Sequence, residues 1–155
     1  VKILDACCGK RAFWYNKKYP GTIYIDVRES VKPDVVMDCR NTTFKDKSFD
    51  LIVFDPPHDS FSSKNQGIFY ERYGGYTAKE MRSFIRDAFI EFSRILKDDG
   101  FLVFKWNTHS QQLKAILPLI QGFEVLFGQL TVQRTKHSSQ TYWFMLRKKN
   151  VNRYL

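Results

Sequence analysis

The stretch Phe49-Asp50-Leu51-Ile52-Val53-Phe54-Asp55-Pro56-Pro57-His58 decides the fold class. Residues 51–54 are an unbroken apolar run rich in β-formers, the pattern of a strand buried on both faces of a parallel sheet. Asp55-Pro56-Pro57 ends the run abruptly. Proline has no N–H and disfavours helix at the residue before it, so the chain leaves the sheet extended. An acid is thereby held on stiff backbone at the carboxyl end of a central strand, the edge at which open α/β sheets take ligands.

Upstream, the same pattern repeats. Residues 1–4 read as a short strand closing on Asp5, followed by the small-residue turn Ala6-Cys7-Cys8-Gly9-Lys10-Arg11 and a predicted short helix through Phe13, Trp14 and Tyr15. Strand, acid, tight turn and helix form the first half of a nucleotide-type site, with Gly9 allowing backbone to approach a ligand closely. Pro20-Gly21 breaks the chain, and residues 22–25 form a second strand ending at Asp26. Asp26 follows the glycine turn at about the spacing that lets an acid accept from ribose hydroxyls; read singly, it serves equally well as a turn or cap residue. Residues 34–37 form a third strand ending at Asp38, and residues 41–48 a polar crossover with little helix. Four acids at the carboxyl ends of successive strands (Asp5, Asp26, Asp38, Asp55) line one edge of the sheet with negative charge.

Downstream, residues 58–76 read as a long loop carrying Phe61, Phe69, Tyr70, Tyr73, Tyr76 and the pair Gly74-Gly75. Connections this long are functional or disordered; this one either closes over a substrate or packs its aromatics back on the core. Thr77-Ala78-Lys79-Glu80 is a capping box. Met81, Phe84, Ile85, Ala88, Phe89, Phe92, Ile95 and Leu96 then make one apolar helical stripe, with Gly100 as the expected stop. Residues 101–104 are a fifth strand, delivering Lys105-Trp106-Asn107 to the functional edge. Residues 111–120 are a short helix interrupted by Pro118. Residues 123–127 and 141–146 are the sixth and seventh strands, and the basic connection between them reads as an antiparallel hairpin.

At 155 residues, with 43% hydrophobic and 16% aromatic content, the chain reads as one folded domain over 1–155. No apolar run approaches the ~20 residues of a membrane span, and no signal peptide is visible. The chain starts at Val1 and enters a strand at once, so a short preceding piece is expected. Cys7, Cys8 and Cys39 offer neither a disulfide framework nor metal-ligand spacing, which points to a reducing, intracellular setting. The net charge is +9, and residues 129–155 carry Arg134, Lys136, Arg147, Lys148, Lys149 and Arg153 without an acid. Such a surface either meets a polyanion or is simply solvated.

Together, the strand–Asp5–turn–Gly9 unit, the strands ending at Asp26 and Asp38, Phe49-Asp50-Leu51-Ile52-Val53-Phe54-Asp55-Pro56-Pro57, the amphipathic helix ending Ile95-Leu96-Lys97-Asp98-Asp99-Gly100 and the terminal hairpin resemble a class I S-adenosylmethionine-dependent methyltransferase over nearly the whole chain. The resemblance implies an α/β, Rossmann-like seven-stranded sheet, mostly parallel with an antiparallel terminal strand, and helices on both faces. It implies S-adenosylmethionine as cofactor, with Asp5, Cys7 and Gly9 in the turn against its methionine end, Asp26 at the ribose, and Asp38, Cys39 and Arg40 at the adenine. The family often has a second glycine two residues after the first; here that position is Arg11. Asp55-Pro56-Pro57-His58 resembles the Asp/Asn-Pro-Pro-aromatic motif of enzymes that methylate exocyclic base amines, with His58 in place of the aromatic residue. The lone pair of an aryl amine is delocalised into its ring. A carboxylate and a proline carbonyl accepting its two hydrogens draw the nitrogen towards tetrahedral geometry, and positioning supplies most of the acceleration.

The expected substrate is therefore a nucleic acid, DNA or RNA. Phe61, Tyr70 and Tyr73 of the loop, Lys105 on a phosphate, Trp106 stacking a base or lying in the core, and Lys136 and His137 in the basic connection complete the expected substrate-binding set. A partner chain is one source of sequence recognition, since no base-reading domain fits in this length. The alternatives are a small-molecule methyltransferase and a non-catalytic subunit that binds cofactor or nucleic acid.

Overall fold

The computed structural model describes residues 1–58, 76–130 and 139–149. Its strands are β1 (Ile3–Asp5), β2 (Thr22–Asp26), β3 (Val35–Val36), β4 (Phe49–Phe54), β5 (Leu96–Asn107), β6 (Phe123–Leu130) and β7 (Thr141–Lys148). They form one seven-stranded sheet in the order β3-β2-β1-β4-β5-β7-β6. Strands β1 to β5 pair in parallel, and β7 runs antiparallel to both of its neighbours. Between β5 and β6 lie a single α-helical turn, α2 (Leu113–Ile116), and a 3-10 turn at Leu117–Leu119 that places Pro118 in its first turn. There the missing proline N–H costs no helical bond.

Helix α1 (Ala78–Ile95) begins as the sequence predicts. The Thr77 side chain accepts from the Glu80 N–H while the Glu80 carboxylate accepts from the Thr77 N–H, so each satisfies one of the helix's orphan donors. Its apolar stripe of Met81, Phe84, Ile85, Ala88, Phe89, Phe92 and Ile95 is buried against one face of the sheet, with Leu4, Ile25, Ile52, Phe54, Leu102, Phe104 and Trp106. Phe54 sits at the centre, its ring 4.8 Å from Phe92 and 5.7 Å from Phe104. Such edge-on and offset contacts suit the quadrupoles of packed aromatic rings.

The helix stops earlier than the sequence suggests. Gly100 does not cap it: α1 ends at Ile95, and Leu96 already pairs with Phe49 in the sheet. Gly100 lies within β5, where a Cβ would come within 2.8 Å of the Leu96 side chain and 3.0 Å of the Asp50 carbonyl oxygen. Close strand approach, not helix termination, requires the glycine there.

The predicted helix through Phe13, Trp14 and Tyr15 is also absent. Residues 6–21 run as successive turns laid on the other face of the sheet. Arg11 takes a left-handed φ of 56°, which interrupts any helix. Two of the three aromatics pack on the sheet surface, where Phe13 contacts Trp143 and Trp14 stands edge-on to Tyr24, while Tyr15 is exposed.

The crossover after β3 is tied to α1 by a buried polar network. Glu91 accepts from the backbone N–H and the hydroxyl of Thr42, and Arg94 donates to Glu91 and to the Thr42 and Phe44 carbonyls. Burial alone would push the Glu91 carboxyl up, but the hydrogen bonds from Arg94 and Thr42 outweigh it and hold it below the usual range. No helix among the described residues is long and apolar enough to cross a membrane.

Replacing Glu91 strands the Thr42 donors in the interior, and a buried group left unsatisfied costs about 1–3 kcal/mol. Glu91→Ala is expected to lower the urea midpoint accordingly with an unchanged slope. A midpoint equal to that of the parent would show that the network does not fasten the crossover.

Candidate active site at the carboxyl edge of the sheet

Side chains alternate across a strand, so the register decides which groups meet. Asp5 pairs with Val53, and Phe54 with Phe104. Asp5, Asp55 and Lys105 therefore share one face of the sheet, opposite the one that buries Phe54. Tyr24 pairs with Asp5, which puts Asp26 on that face as well.

The turn after β1 is held by its neighbours. The Ala6 and Cys8 N–H groups donate to the Val53 and Ile25 carbonyls, and Gly9, at φ +49°, donates its N–H to Asp26 at 2.9 Å. Arg11 adopts the left-handed backbone that a second glycine would take, at a cost of about 1–2 kcal/mol. Its side chain offsets that cost. The guanidinium donates to Asp34 at 2.7 Å and to the Lys17 carbonyl at 3.0 Å, and lies 3.9 Å over the Tyr24 ring. Arg11 thus braces the turn from beneath.

Asp5 is buried and accepts from the Trp14 indole N–H at 2.8 Å. Burial pushes its carboxyl up to about 7; the Trp14 hydrogen bond and the Cys7 N–H oppose the rise, and the Asp55 and Asp26 charges add to it. Asp26 behaves differently although it too is buried. Its four hydrogen bonds from Gly9 and Arg28 overcome desolvation and hold it low. Asp38 is likewise held low, chiefly by the Arg40 side chain. Cys39 is buried with its Sγ 3.9 Å from that of Cys7. The Cys39 contact and burial push the Cys7 thiol up, and burial raises Cys8 to about 12, so both are poor nucleophiles. Tyr76 and Phe84 stack at 5.0 Å beside this corner, with Arg40 5.5 Å above Phe84. Burial pushes the Tyr76 hydroxyl up to about 12.

At the end of β4, Pro56 is buried, while Asp55, Pro57 and His58 are half-buried. Lys105 donates to Asp55 Oδ2 at 2.7 Å and lies 5.5 Å over the Trp143 ring. That pair uses one of the ammonium's three donors. The expectation that Trp106 stacks a base is corrected. The side chain is fully buried, with its indole N–H donated to the Gln111 carbonyl, because strand alternation turns it onto the α1 face. It cannot stack a substrate base; it packs edge-on to His58 at 6.5 Å. The buried His58 Nδ1 has no hydrogen-bond partner among the described residues. Phe61, Tyr70, Tyr73, Lys136 and His137 lie outside the described residues.

Sequence reasoning missed Arg28, Trp14 and Trp143 as site-shaping groups. Arg28 carried a local signal, since Asp26-Val27-Arg28 and Asp38-Cys39-Arg40 repeat the same Asp-x-Arg pattern at successive strand ends.

No family model and no curated protein matches the chain. Solved structures do. A S-adenosylmethionine-dependent methyltransferase from Methanosarcina mazei matches with a TM-score of 0.65 and 14% identity, covering 95% of this chain and 92% of that one. A TehB-like S-adenosylmethionine-dependent methyltransferase from Corynebacterium glutamicum gives 0.60 and 19%, covering 96% and 80%. A geranyl diphosphate methyltransferase in complex with its diphosphate and sinefungin gives 0.60 and 11%, covering 96% and 72%. The architecture is therefore the Rossmann-like fold of class I S-adenosylmethionine-dependent methyltransferases.

The raised Asp5 pKa has a signed consequence. Between pH about 4 and 7 the folded chain keeps a proton that the unfolded chain has shed, so stability falls as pH rises through that window and levels off above it. Asp5→Asn keeps an acceptor for Trp14 but removes the titration. The difference in Tm, variant minus parent, is expected to grow from pH 4 to 7 and then flatten. A difference that is constant with pH would show that Asp5 does not titrate there.

Proposed function

We propose that this chain is a S-adenosylmethionine-dependent methyltransferase acting on an exocyclic base amine of a nucleic acid. The observation that carries the reading is the Asp55 carboxylate, set on Asp-Pro-Pro backbone at the end of a central strand and clamped by Lys105 at 2.7 Å, at the same edge as the glycine turn.

The residues at that edge fit the cofactor. A Cβ built at Gly9 meets only the Arg28 guanidinium, at 3.8 Å, so the turn offers open space where backbone must approach a ligand. Gly9 and Cys7 would face the methionine end, Asp26 the ribose, and Asp38, Cys39 and Arg40 the adenine. When bound, the cofactor supplies an electrophilic methyl group on sulfonium. The chain supplies position. Lys105 takes Asp55 Oδ2 and fixes the carboxylate's rotamer, leaving Oδ1 to accept one amine hydrogen while the Pro56 carbonyl accepts the other. Directing both hydrogens turns the nitrogen lone pair out of conjugation with the base, which is orientation and charge stabilisation together. His58 replaces the motif's aromatic residue. Its ring gives a smaller stacking face.

The charge of +9 supports a polyanionic substrate. Lys10, Lys17 and Lys18 are exposed on the coil after β1, and the sequence of residues 129–155 adds six cations and no acid. A phosphate backbone bound this way gives an affinity that falls steeply with salt. A partner chain supplying sequence recognition fits the same reading.

Methyl transfer from radiolabelled S-adenosylmethionine is expected to enter one of duplex DNA, single-stranded DNA or RNA. Asp55→Ala is expected to lower the rate on the order of 100-fold or more, as loss of a directed hydrogen bond does. Label found only in a small-molecule extract, insensitive to salt, would overturn the nucleic-acid substrate. Cofactor binding without turnover on any pool, unchanged in Asp55→Ala, would point to a non-catalytic subunit.

A further inference from the structure

A carboxylate accepts about four hydrogen bonds. On Asp26 all of them are taken. Oδ2 accepts from the Gly9 N–H at 2.9 Å and from Arg28 Nη2 at 3.0 Å; Oδ1 accepts from the Arg28 N–H at 3.0 Å and from Arg28 Nε at 2.9 Å. The two backbone donors are fixed by the turn and the strand end. The remaining two belong to the planar fork of the Arg28 side chain. A ribose 2′,3′-diol also donates two hydrogen bonds, and the pair held by that fork is the one pair a side-chain rotation can vacate. Arg28 Nη2 is also the nearest atom to the open side of Gly9, so the guanidinium lies between the glycine turn and the end of β2.

We propose that Arg28 occupies the diol subsite of the cofactor crevice and is displaced when the adenosyl ligand binds, which makes Arg28 a determinant of cofactor affinity. The inference rests on the cofactor reading above. The bidentate pair is charge-assisted, with Asp26 almost wholly buried and the Arg28 side chain mostly so. The free protein therefore spends most of its time closed to the diol, and the apparent affinity falls by the fraction of molecules that are open. The same geometry recurs one strand along, where Arg40 donates its N–H, Nε and Nη2 to Asp38. There the side chains are more exposed, and the guanidinium that bonds Asp38 also lies 5.5 Å over the Phe84 ring. The hook at Asp26 is the deeper of the two and the one aligned with the glycine turn.

The test measures binding, without turnover, by calorimetry with S-adenosylhomocysteine and its 2′-deoxy analogue, which lacks one donor of the diol. The neutral sulfur of these ligands removes direct attraction or repulsion between a sulfonium and the arginine. Arg28→Ala is expected to bind S-adenosylhomocysteine at least about five-fold more tightly than the parent, by freeing the competent state; the deoxy analogue needs only one of the two acceptor positions vacated, binds with the fork half released, and is expected to gain less. Arg28→Lys keeps the charge but loses the fork, and is expected to show the same ordering. In the parent protein, the Arg28 Nε–H resonance, assigned by its loss in Arg28→Lys, is expected to lose its protection from exchange when S-adenosylhomocysteine is added; this readout does not depend on a variant's stability. Equal gains for both ligands, no gain, or a retained Nε–H bond in the complex would overturn the inference while leaving the cofactor reading intact. Failure of the parent and both variants to bind either ligand would overturn both.

Discussion

Parallel register is the constraint on which the rest depends. Once β1, β4 and β5 align with Asp5 beside Val53 and Phe54 beside Phe104, every side chain at the carboxyl edge is assigned a face. One face takes Leu4, Phe54, Phe104 and Trp106 into the aromatic core under α1. The other takes Asp5, Asp26, Asp55 and Lys105. A slip of one residue would bury the charges and expose the rings, so the hydrophobic requirement of the core fixes the register of the site. Lys105 meets Asp55 and Trp106 meets Gln111 for the same reason: neighbouring residues of one strand look in opposite directions.

Placing acids at this edge creates an electrostatic problem, and the chain meets it differently at each position. Asp26 and Asp38 each receive an arginine from two residues further on, and both carboxyls are held low. Asp55 receives Lys105 from the neighbouring strand. Asp5 has no cationic partner among the described residues; it has one indole donor, and its pKa rises to about 7. Strain is handled in the same local way. Arg11 accepts a left-handed backbone and anchors itself to Asp34 and Tyr24, so a position where glycine would be free of strain becomes a brace for the coil that covers this face.

The fold likeness chooses neither the chemistry nor the substrate. Structures sharing this architecture include a geranyl diphosphate methyltransferase and a [4+2]-cyclase, so the sheet supports unlike reactions, and function resides in the residues at its edge. In this chain the described residues at that edge are Asp55, Pro56, His58 and Lys105 on one side and the Asp-x-Arg pairs Asp26–Arg28 and Asp38–Arg40 on the other. The residues most directly expected against a substrate, Phe61, Tyr70, Tyr73, Lys136 and His137, lie outside the described residues.

The sequence by itself determined the seven strands in their order along the chain, the capped start of the helix and the antiparallel hairpin, because each rests on local pattern: apolar runs closed by an acid or proline, a capping box, and one stripe at helical period. It also determined the four acids at or just beyond the ends of their strands, whereas several strand bounds differ: β3 is only Val35–Val36, and β5 runs from Leu96 to Asn107. Only the tertiary structure decided what those acids touch. The commitment of Lys105 to Asp55, the burial of Trp106, the run of turns in place of the helix at Phe13–Tyr15, and the role of Gly100 as a strand contact all depend on residues distant in sequence. So does the state of Asp26. The Asp-x-Arg spacing was visible, but the Gly9 N–H that completes its shell comes from the turn after another strand. A carboxylate's availability is set by the sum of its donors, and that sum exists only when strands from separate parts of the chain lie side by side.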